Sequence, residues 1–397
     1  MTSPSIQFDE RGEKVQCCVC QKFYHRLDVH ISTKHGINVA EYVKKYPGNP
    51  TISNAAKQRA ASAQNARVIA TPAHPSVAAP ESEATPSAPD TDVYKIGVAT
   101  LSKRTDLLIV DEKYVPRHNP QWTFDSNNME EWEYLAMGIE DGDNIYIHGP
   151  TGCGKSGSVL ELASVLNQPV LRVQLTRDFK VSQFVGRPEL KVDDNGNRYT
   201  EFEYGVLPKA IQNGWWLLLD EIDQAHPDVA MALQSVLEGN PLVLTENFGE
   251  VVDPKANDRS AHFRIIATAN TAGRGDESGL YSGAKVQNEA TLDRYGVTIK
   301  AGYPQADTEA NILTTYSGIN AADAKKMVKV ARTVREALAN EECNCTFSTR
   351  RLIAWATKTK RLGNAPRAAK VAILWKLDAD DESFVSGLIQ RYFGGAV

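Results

Sequence analysis

The chain has 397 residues, and 44 Lys and Arg against 49 Asp and Glu give a formal charge of -5, with 42% hydrophobic and 23% charged residues. No unbroken apolar run is longer than Trp215 to Leu219, far below the ~20 residues a membrane span needs, and Met1 to Glu10 lacks the basic-then-apolar layout of a signal peptide. On these features the expectation is a soluble, cytoplasmic chain without a membrane span or secretory leader, of two or three domains at ~100–200 residues each. The near-neutral total conceals an uneven distribution: residues 1–50 carry seven basic and five acidic side chains, residues 51–95 four of each, and residues 96–397 carry 33 against 40. Six cysteines are too few for a secreted disulfide framework in a chain this long. Three of them crowd together at Cys17, Cys18 and Cys20, which in a reducing compartment suggests metal.

The first module spans about residues 11–57. Cys17-x2-Cys20-x9-His30-x4-His35 offers two thiolates and two imidazoles, a set that suits tetrahedral, structural Zn²⁺. Cys18 is an alternative to Cys17, and His25 is a spare imidazole. The gap of nine is shorter than the ~12 of common C2H2 fingers. The spacing, with Phe23, Leu27, His35-Gly36, Glu41-Tyr42 and Pro47, resembles the prokaryotic Ros/MucR-type zinc finger. A module this short has too small a core to fold unaided, so the metal would supply much of its folding energy. The resembled family binds DNA, yet seven basic against three acidic side chains over residues 11–45 make a modest phosphate footprint for a single finger. DNA and protein docking both stay open as its target.

From Ala70 to Thr91, 17 of 22 residues are Ala, Pro, Ser or Thr and none is aromatic. Such a composition cannot offset its ordering entropy, and residues 58–91 read as a flexible, proline-stiffened linker. The body follows. After the unassigned stretch Asp92–Asp111, a helical pattern runs from Trp132 through Ile139, an Asp-Gly turn lies at Asp141-Gly142, and Asn144–His148 reads as a strand. Further β-rich runs at Val170–Leu175, Trp215–Leu219, Phe263–Ala267 and Val297–Lys300 alternate with helical patterns such as Ser156–Leu166 and Val229–Leu237. Alternation of this kind predicts an α/β fold with a parallel sheet over residues 92–303. Residues 304–397, including Ala321–Ala339 and Thr349–Arg361, read as helical throughout.

The strand ending at His148 runs into Gly149-Pro150-Thr151-Gly152-Cys153-Gly154-Lys155-Ser156, which fits G-x-x-x-x-G-K-[S/T] at every fixed position and opens a helix. Its glycines allow backbone N–H groups to converge on phosphate oxygens; Lys155 supplies a point charge to the β/γ-phosphates and Ser156 ligates Mg²⁺. Cys153 sits at a variable position, and that reading is preferred to a reactive thiol. A buried strand, Trp215 to Leu219, then ends in Asp220-Glu221, at the edge where open α/β sheets bind ligands. Asp220 is expected to hold the Mg²⁺ shell, and Glu221 to orient or deprotonate the attacking water. A magnesium-holding carboxylate alone would serve a kinase or a GTPase; the adjacent Glu favours hydrolysis by an ATPase. Asp223 reads as the N-cap of a helix over Gln224–Leu237. Downstream, Asn270 ends another buried strand, Arg294 precedes the Val297–Lys300 strand, and Ser348-Thr349-Arg350-Arg351 presents two arginines at a helix start. All of these are candidates to meet the charge developing on a transferred phosphoryl group.

This ordered set resembles the AAA+ ATPases, in their MoxR-like and dynein-related branch, and within it the CobS-type ATPase subunit of aerobic cobaltochelatase. The likeness is carried further by Tyr114-Val-Pro116, Phe184-Val-Gly186, Thr200-Glu-Phe202, Gly205–Pro208, Ala267–Thr271, Gly275-Asp276, Ser278–Tyr281 and Asp293-Arg294. It runs from about Tyr114 to Leu313 and more weakly through the helical lid. The resemblance implies a P-loop core with a C-terminal helical lid, ATP and Mg²⁺ as ligands, and a homo-oligomeric ring, usually a hexamer. Lys155 and Ser156 would be Walker A, Asp220 and Glu221 Walker B, Asn270 sensor 1 and Arg350 sensor 2. Arg294 would be the arginine finger acting on the neighbouring subunit's ATP, with Arg274 as the alternative. Two insertions, Leu190–Tyr204 with its Asp193-Asp-Asn-Gly turn signal and Leu242–Val252, would face the pore or the client.

The resembled chelatase subunit does not begin with a metal-finger module and a linker, and it works with a partner carrying an adhesion-type metal-binding domain. Three functions therefore stand in competition. The first is a ring ATPase remodelling or activating a partner, with the finger as its recruitment module. The second is the ATPase subunit of a cobalt or magnesium chelatase, and the third a DNA-binding regulator whose assembly ATP controls.

Overall fold

The computed structural model describes residues 14–24, 27–35, 39–46, 93–122, 129–193, 196–275 and 284–394. The linker, His25, the finger's residues 47–57, the centre of the Asp193–Gly196 turn and the Ser278–Tyr281 stretch lie outside the described residues. The chain forms two units, Met1–Ser87 and Ala88–Val397.

In the first unit, strands β1 (Val15–Gln16) and β2 (Phe23–Tyr24) pair antiparallel, with Val15 opposite Tyr24, and are followed by helices Leu27–His35 and Val39–Lys45. Five fully buried side chains, Val15, Cys17, Leu27, Ile31 and Tyr42, make its core. Tyr42 also turns its hydroxyl to the Cys18 N–H at 2.7 Å, fixing the cysteine turn.

The second unit opens with a hairpin, β3 (Val93–Ile96) and β4 (Ala99–Ser102), that packs on the helix Met129–Asp141. Its centre is a five-stranded sheet built from β5 (Ile145–His148), β6 (Val170–Gln174), β9 (Trp216–Asp220), β12 (Arg264–Ala269) and β13 (Val297–Lys300). The order is β13-β5-β12-β9-β6, and every pairing is parallel. Side chains alternate across this sheet, as strand geometry demands. Tyr146, Leu217, Leu219, Ile265 and Ala267 enter one apolar cluster, and Ile145, Ile147, Trp216, Leu218 and Ile266 the other. With both faces covered, β9 is buried at all five positions, which is why it reads as a continuous apolar run rather than an alternating one.

Two hairpins interrupt the helical layers. Strands β7 (Gly186–Val192) and β8 (Arg198–Tyr204) pair from Gly186–Tyr204 to Val192–Arg198, and β10 (Leu242–Leu244) pairs with β11 (Glu250–Val252). The second turns through Thr245–Gly249 and carries Phe248 at its tip, fully exposed and in the left-handed region at φ 55°.

One local expectation fails. Asp223 does not cap a helix beginning at Gln224: it lies in the 3-10 turn Ile222–Gln224, and the helix starts at Pro227 with His226 as its cap. Proline at the first helical position is pre-organised for helix, while it drives its predecessor extended. His226 accordingly sits at φ -67° and ψ 140°.

Beyond β13 the chain is a helical lid of Ala306–Ser317, Ala321–Ala339, Thr349–Leu362, Ala365–Ala372 and Ala379–Phe393. It has an apolar core of its own around Met327, Phe347, Leu352 and Trp355. Trp355 is fully buried and satisfies its indole N–H on the Ala365 carbonyl at 2.8 Å. Among the described residues, no helix is long and apolar enough to cross a membrane.

Candidate active site

The parallel register brings the C-terminal ends of β5, β9 and β12 side by side, with Ala269 level with His148 and Ala267 level with Leu219. The loop after β5 runs from Gly149 to Gly154 into the helix Lys155–Val165. Gly149 approaches β13 so closely that an added Cβ would lie 2.2 Å from the Ala301 carbonyl oxygen. Gly152, at φ 68°, leaves no room either, since a Cβ there would meet Ser348 Cβ at 2.8 Å. The loop is thus held on two sides, by the sheet edge and by the lid.

Lys155 aims its ammonium group into this loop, donating to the carbonyls of Gly149 and Pro150 at 2.7 and 3.0 Å and to Asn270 Oδ1 at 3.2 Å. Burial lowers its pKa, and the charges of Asp220, Glu221 and Asp223 pull in the other direction. An ammonium resting on neutral carbonyls at a helix N-terminus is a site that favours anions. Burial raises the pKa of Cys153, in keeping with the unreactive reading of that thiol.

Asp220, 5% exposed, gathers three donors: Ser156 Oγ at 2.5 Å and Thr268 Oγ1 at 2.9 Å on one oxygen, and Arg172 Nε at 2.5 Å on the other. Oxygen donors on Ser156 and Asp220 this close together are the set that suits a hard divalent cation. Glu221 leaves the strand in the left-handed region at φ 58° and accepts from Gln174 Nε2 at 3.2 Å and Gln224 Nε2 at 3.1 Å. Its carboxylate is therefore steered by two neutral amides. Asp223, fully buried, accepts the backbone N–H groups of Asn270 and Thr271 at 3.0 and 3.3 Å and the Thr271 hydroxyl at 3.3 Å.

A cavity of about 630 Å³ lies over the loop and these strand ends, and Asp223 stands behind its wall rather than in it. Thr151 to Ser156, Asp220, Glu221, Asn270 and Arg350 all face it, and so do Trp122, Tyr316 and Ile353. Arg350 reaches the cavity from the start of the lid helix Thr349–Leu362, whose N-cap is Ser348. Arg294 does not line it; the guanidinium pairs with Glu238 at 2.6–2.7 Å and also donates to the Ala290 carbonyl. Arg274 stands opposite Val286 in an isolated bridge.

Sequence reasoning missed Arg172, Gln174 and Trp122. The first two stand at alternate positions near the end of β6, beside β9, and polar residues at the ligand edge of a buried strand are a signal that could have found them. Trp122 packs against the loop helix, where a Cβ on Gly157 would meet its ring at 2.7 Å. No local pattern announces that contact.

In the other unit, Cys17, Cys20, His30 and His35 place one ligand atom each within 4.8 Å of one another. Cys20 Sγ lies 3.2 Å from His30 Nε2, Cys17 Sγ 3.6 Å from His35 Nε2, and the two imidazole nitrogens are 3.1 Å apart. Burial opposes ionisation of Cys20, but the Lys22 backbone N–H together with His35, His30 and Cys17 brings its pKa down to about 6. Two thiols and two imidazoles this close together could hold a metal ion, and their softness suits zinc.

The family profile for the AAA domain (dynein-related subfamily) matches residues 144–287, and the CbbQ/NirQ/NorQ C-terminal profile matches residues 309–391. The chain is 32% identical over 320 residues to the aerobic cobaltochelatase subunit CobS of a Sinorhizobium species, an alignment that covers 77% of this chain and 94% of that protein. It is 27% identical to the denitrification regulatory protein NirQ of Stutzerimonas stutzeri, over 65% of this chain and 87% of the relative. Protein CbbQ of Hydrogenophilus thermoluteolus is likewise 27% identical, with 68% and 93% covered. Two profiles follow one another along the body, and a relative is matched over nearly its whole length: the chain belongs to the dynein-related subfamily of AAA ATPases, in the MoxR-like branch that includes CobS, NirQ and CbbQ.

Proposed function

We propose that the chain binds ATP with Mg²⁺ in the cavity over β5, β9 and β12 and hydrolyses it. The observation that carries this reading is the convergence of Lys155, Ser156, Asp220, Glu221, Asn270 and Arg350 on one cavity. Lys155 and the loop N–H groups bind the phosphates; Ser156 and Asp220 hold the cation, which would neutralise charge on the β- and γ-oxygens. Glu221, steered by Gln174 and Gln224, orients the attacking water and takes its proton. Asn270, tied to the loop by Lys155, positions the same water, and Arg350 meets the γ-phosphate from the lid. Arg294 lies apart from its own subunit's cavity, which suits a finger serving a neighbour's ATP in a ring, usually a hexamer.

Hydrolysis is coupled, in this reading, to remodelling or activation of a partner, with the β7–β8 and β10–β11 hairpins as the working surfaces. The zinc finger recruits the client, protein or nucleic acid, and multiple tethered copies would do so multivalently. The test is Glu221→Gln. ATP binding and assembly should persist while turnover falls by about 10²–10⁴; loss of ATP binding would refute the role given to Glu221.

A second reading, the ATPase subunit of a cobalt or magnesium chelatase acting with an adhesion-type metal-binding partner, is favoured by the match to CobS over 94% of that protein. It requires ATP-dependent metal insertion into a tetrapyrrole when the chain is mixed with such partners. An active ATPase that inserts none would dismiss it.

A further inference from the structure

A run of polar contacts, closed by the packing of Ser348 against Gly152, joins the phosphate loop to the lid. Tyr303, on the connection after β13, donates its hydroxyl to the Thr151 carbonyl at 3.1 Å. The Arg335 guanidinium lies over the Tyr303 ring, 3.7 Å from its centroid. Arg335 grips Glu309 with two hydrogen bonds of 2.7 and 2.8 Å and gives its Nε–H to the Phe347 carbonyl at 2.7 Å. Glu309, fully buried, also accepts from Thr349 Oγ1 at 2.6 Å. Thr349 stands between Arg350 and Ser348, and Ser348 presses on Gly152, beside Thr151. The path thus leaves the loop at Thr151 and returns to it at Gly152.

We propose that Tyr303, Arg335, Glu309 and Thr349 are positioning residues that fix Arg350 against the phosphate loop, so that ATP and ADP are told apart by how the lid is held. This rests on the ATP reading of the cavity. A Glu-Arg pair this enclosed adds little net stability over well-packed apolar residues, and its partners are costly to separate. What it supplies is direction, because a bidentate guanidinium has one orientation relative to its carboxylate. The path is also saturated. Both oxygens of Glu309, the edge and the face of Arg335, and the hydroxyls of Tyr303 and Thr349 are engaged, so a shift at one member must move the next. The path ends on the residue beside Arg350 rather than on the lid surface.

The test uses the full chain with Tyr303→Phe, which keeps the ring beneath Arg335 and removes only the hydroxyl, and Thr349→Val, which keeps the branched shape. Thr349→Ser is the conservative control. Affinities for ATP and for ADP are measured on each single variant and on the Phe/Val double. Each single variant should weaken ATP about three- to tenfold, the worth of one hydrogen bond, and leave ADP within about twofold. Thr349→Ser should restore the ATP-to-ADP ratio. Because a circuit opened at one point is already open, the double variant should lose less than the product of the singles. Unchanged ratios in both singles, or losses that simply multiply, would overturn the relay alone, since the wild type still binds ATP. A wild-type chain that takes up no ATP would overturn the cavity reading and the relay with it.

Discussion

The Asp223 carboxylate accepts the backbone N–H of Asn270 at 3.0 Å. One oxygen of a buried acid from the turn after β9 therefore sets where the amide at the end of β12 points. Since Asn270 in turn accepts from Lys155, Asp223 acts on the phosphate loop at one remove. Asp223→Asn keeps the shape and removes the charge that holds three donors. It should cost about 1–3 kcal/mol of stability and lower kcat by about tenfold with ATP affinity within about threefold. Denaturant unfolding and steady-state kinetics would check both. An unchanged kcat would make Asp223 a purely structural acid.

If Arg294 completes the neighbouring subunit's site, two inactive variants should repair one another. Arg294→Ala and Lys155→Ala alone should each lose about 10³-fold in turnover. Mixed and reassembled, they create interfaces with an intact loop on one side and an intact arginine on the other, and part of the hydrolysis should return. A mixture as inactive as its components would reassign Arg294 to its ion pair with Glu238, and Arg274→Ala would be the next arginine to mix.

The finger should carry one zinc per protomer and lose it on Cys20→Ser or His30→Ala, by elemental analysis of the full chain. A zinc-selective chelator, added in excess Mg²⁺, should unfold the module, because the metal would supply much of its folding energy. With Mg²⁺ kept saturating, ATP hydrolysis by the body should be unaffected by the same treatment.

The pKa of His148, half-buried at the mouth of the phosphate loop, is lowered first by burial and then by Lys300 and Lys155. That of His262 is lowered by burial and by Arg104, Arg264 and Arg259, against the pull of Asp106. The unfolded chain takes up these protons near pH ~6.5, whereas the folded chain resists. Their stabilising contribution is complete above that value and falls away as the pH drops through the lowered values. Denaturant midpoints at pH 7 and pH 5 should therefore differ less in His148→Asn than in the wild type. An equal pH dependence in both would refute the assignment.

Much of the site was legible because its parts are local. Gly149–Ser156 and Asp220-Glu221 are contiguous, and each is flanked by the strand or helix that gives it meaning, so spacing alone placed them. The parallel sheet was readable for a similar reason, since strands buried on both faces cannot alternate and must read as apolar runs. What stayed hidden is contact across the chain. Arg172 meets Asp220 at a separation of 48 residues, and Arg335 meets Glu309 at 26, with no pattern joining them. Asp223 misled because an acid ahead of a helical stretch is a plausible cap. The choice was decided by Pro227, which moved the helix start downstream and released the carboxylate to turn inward.

Phe248 at the tip of the β10–β11 turn gains nothing from burial, its ring staying in water, and holds a backbone conformation that side chains with a Cβ avoid. A lone copy is a minor burden. In the proposed ring the same tip would recur once per subunit, and individually weak apolar contacts would become a grip whose strength depends on how many reach a client at once. On that arithmetic, swapping Phe248 in a few subunits of each assembly would erode client handling steeply and leave ATP consumption running, which is the signature of a motor that slips.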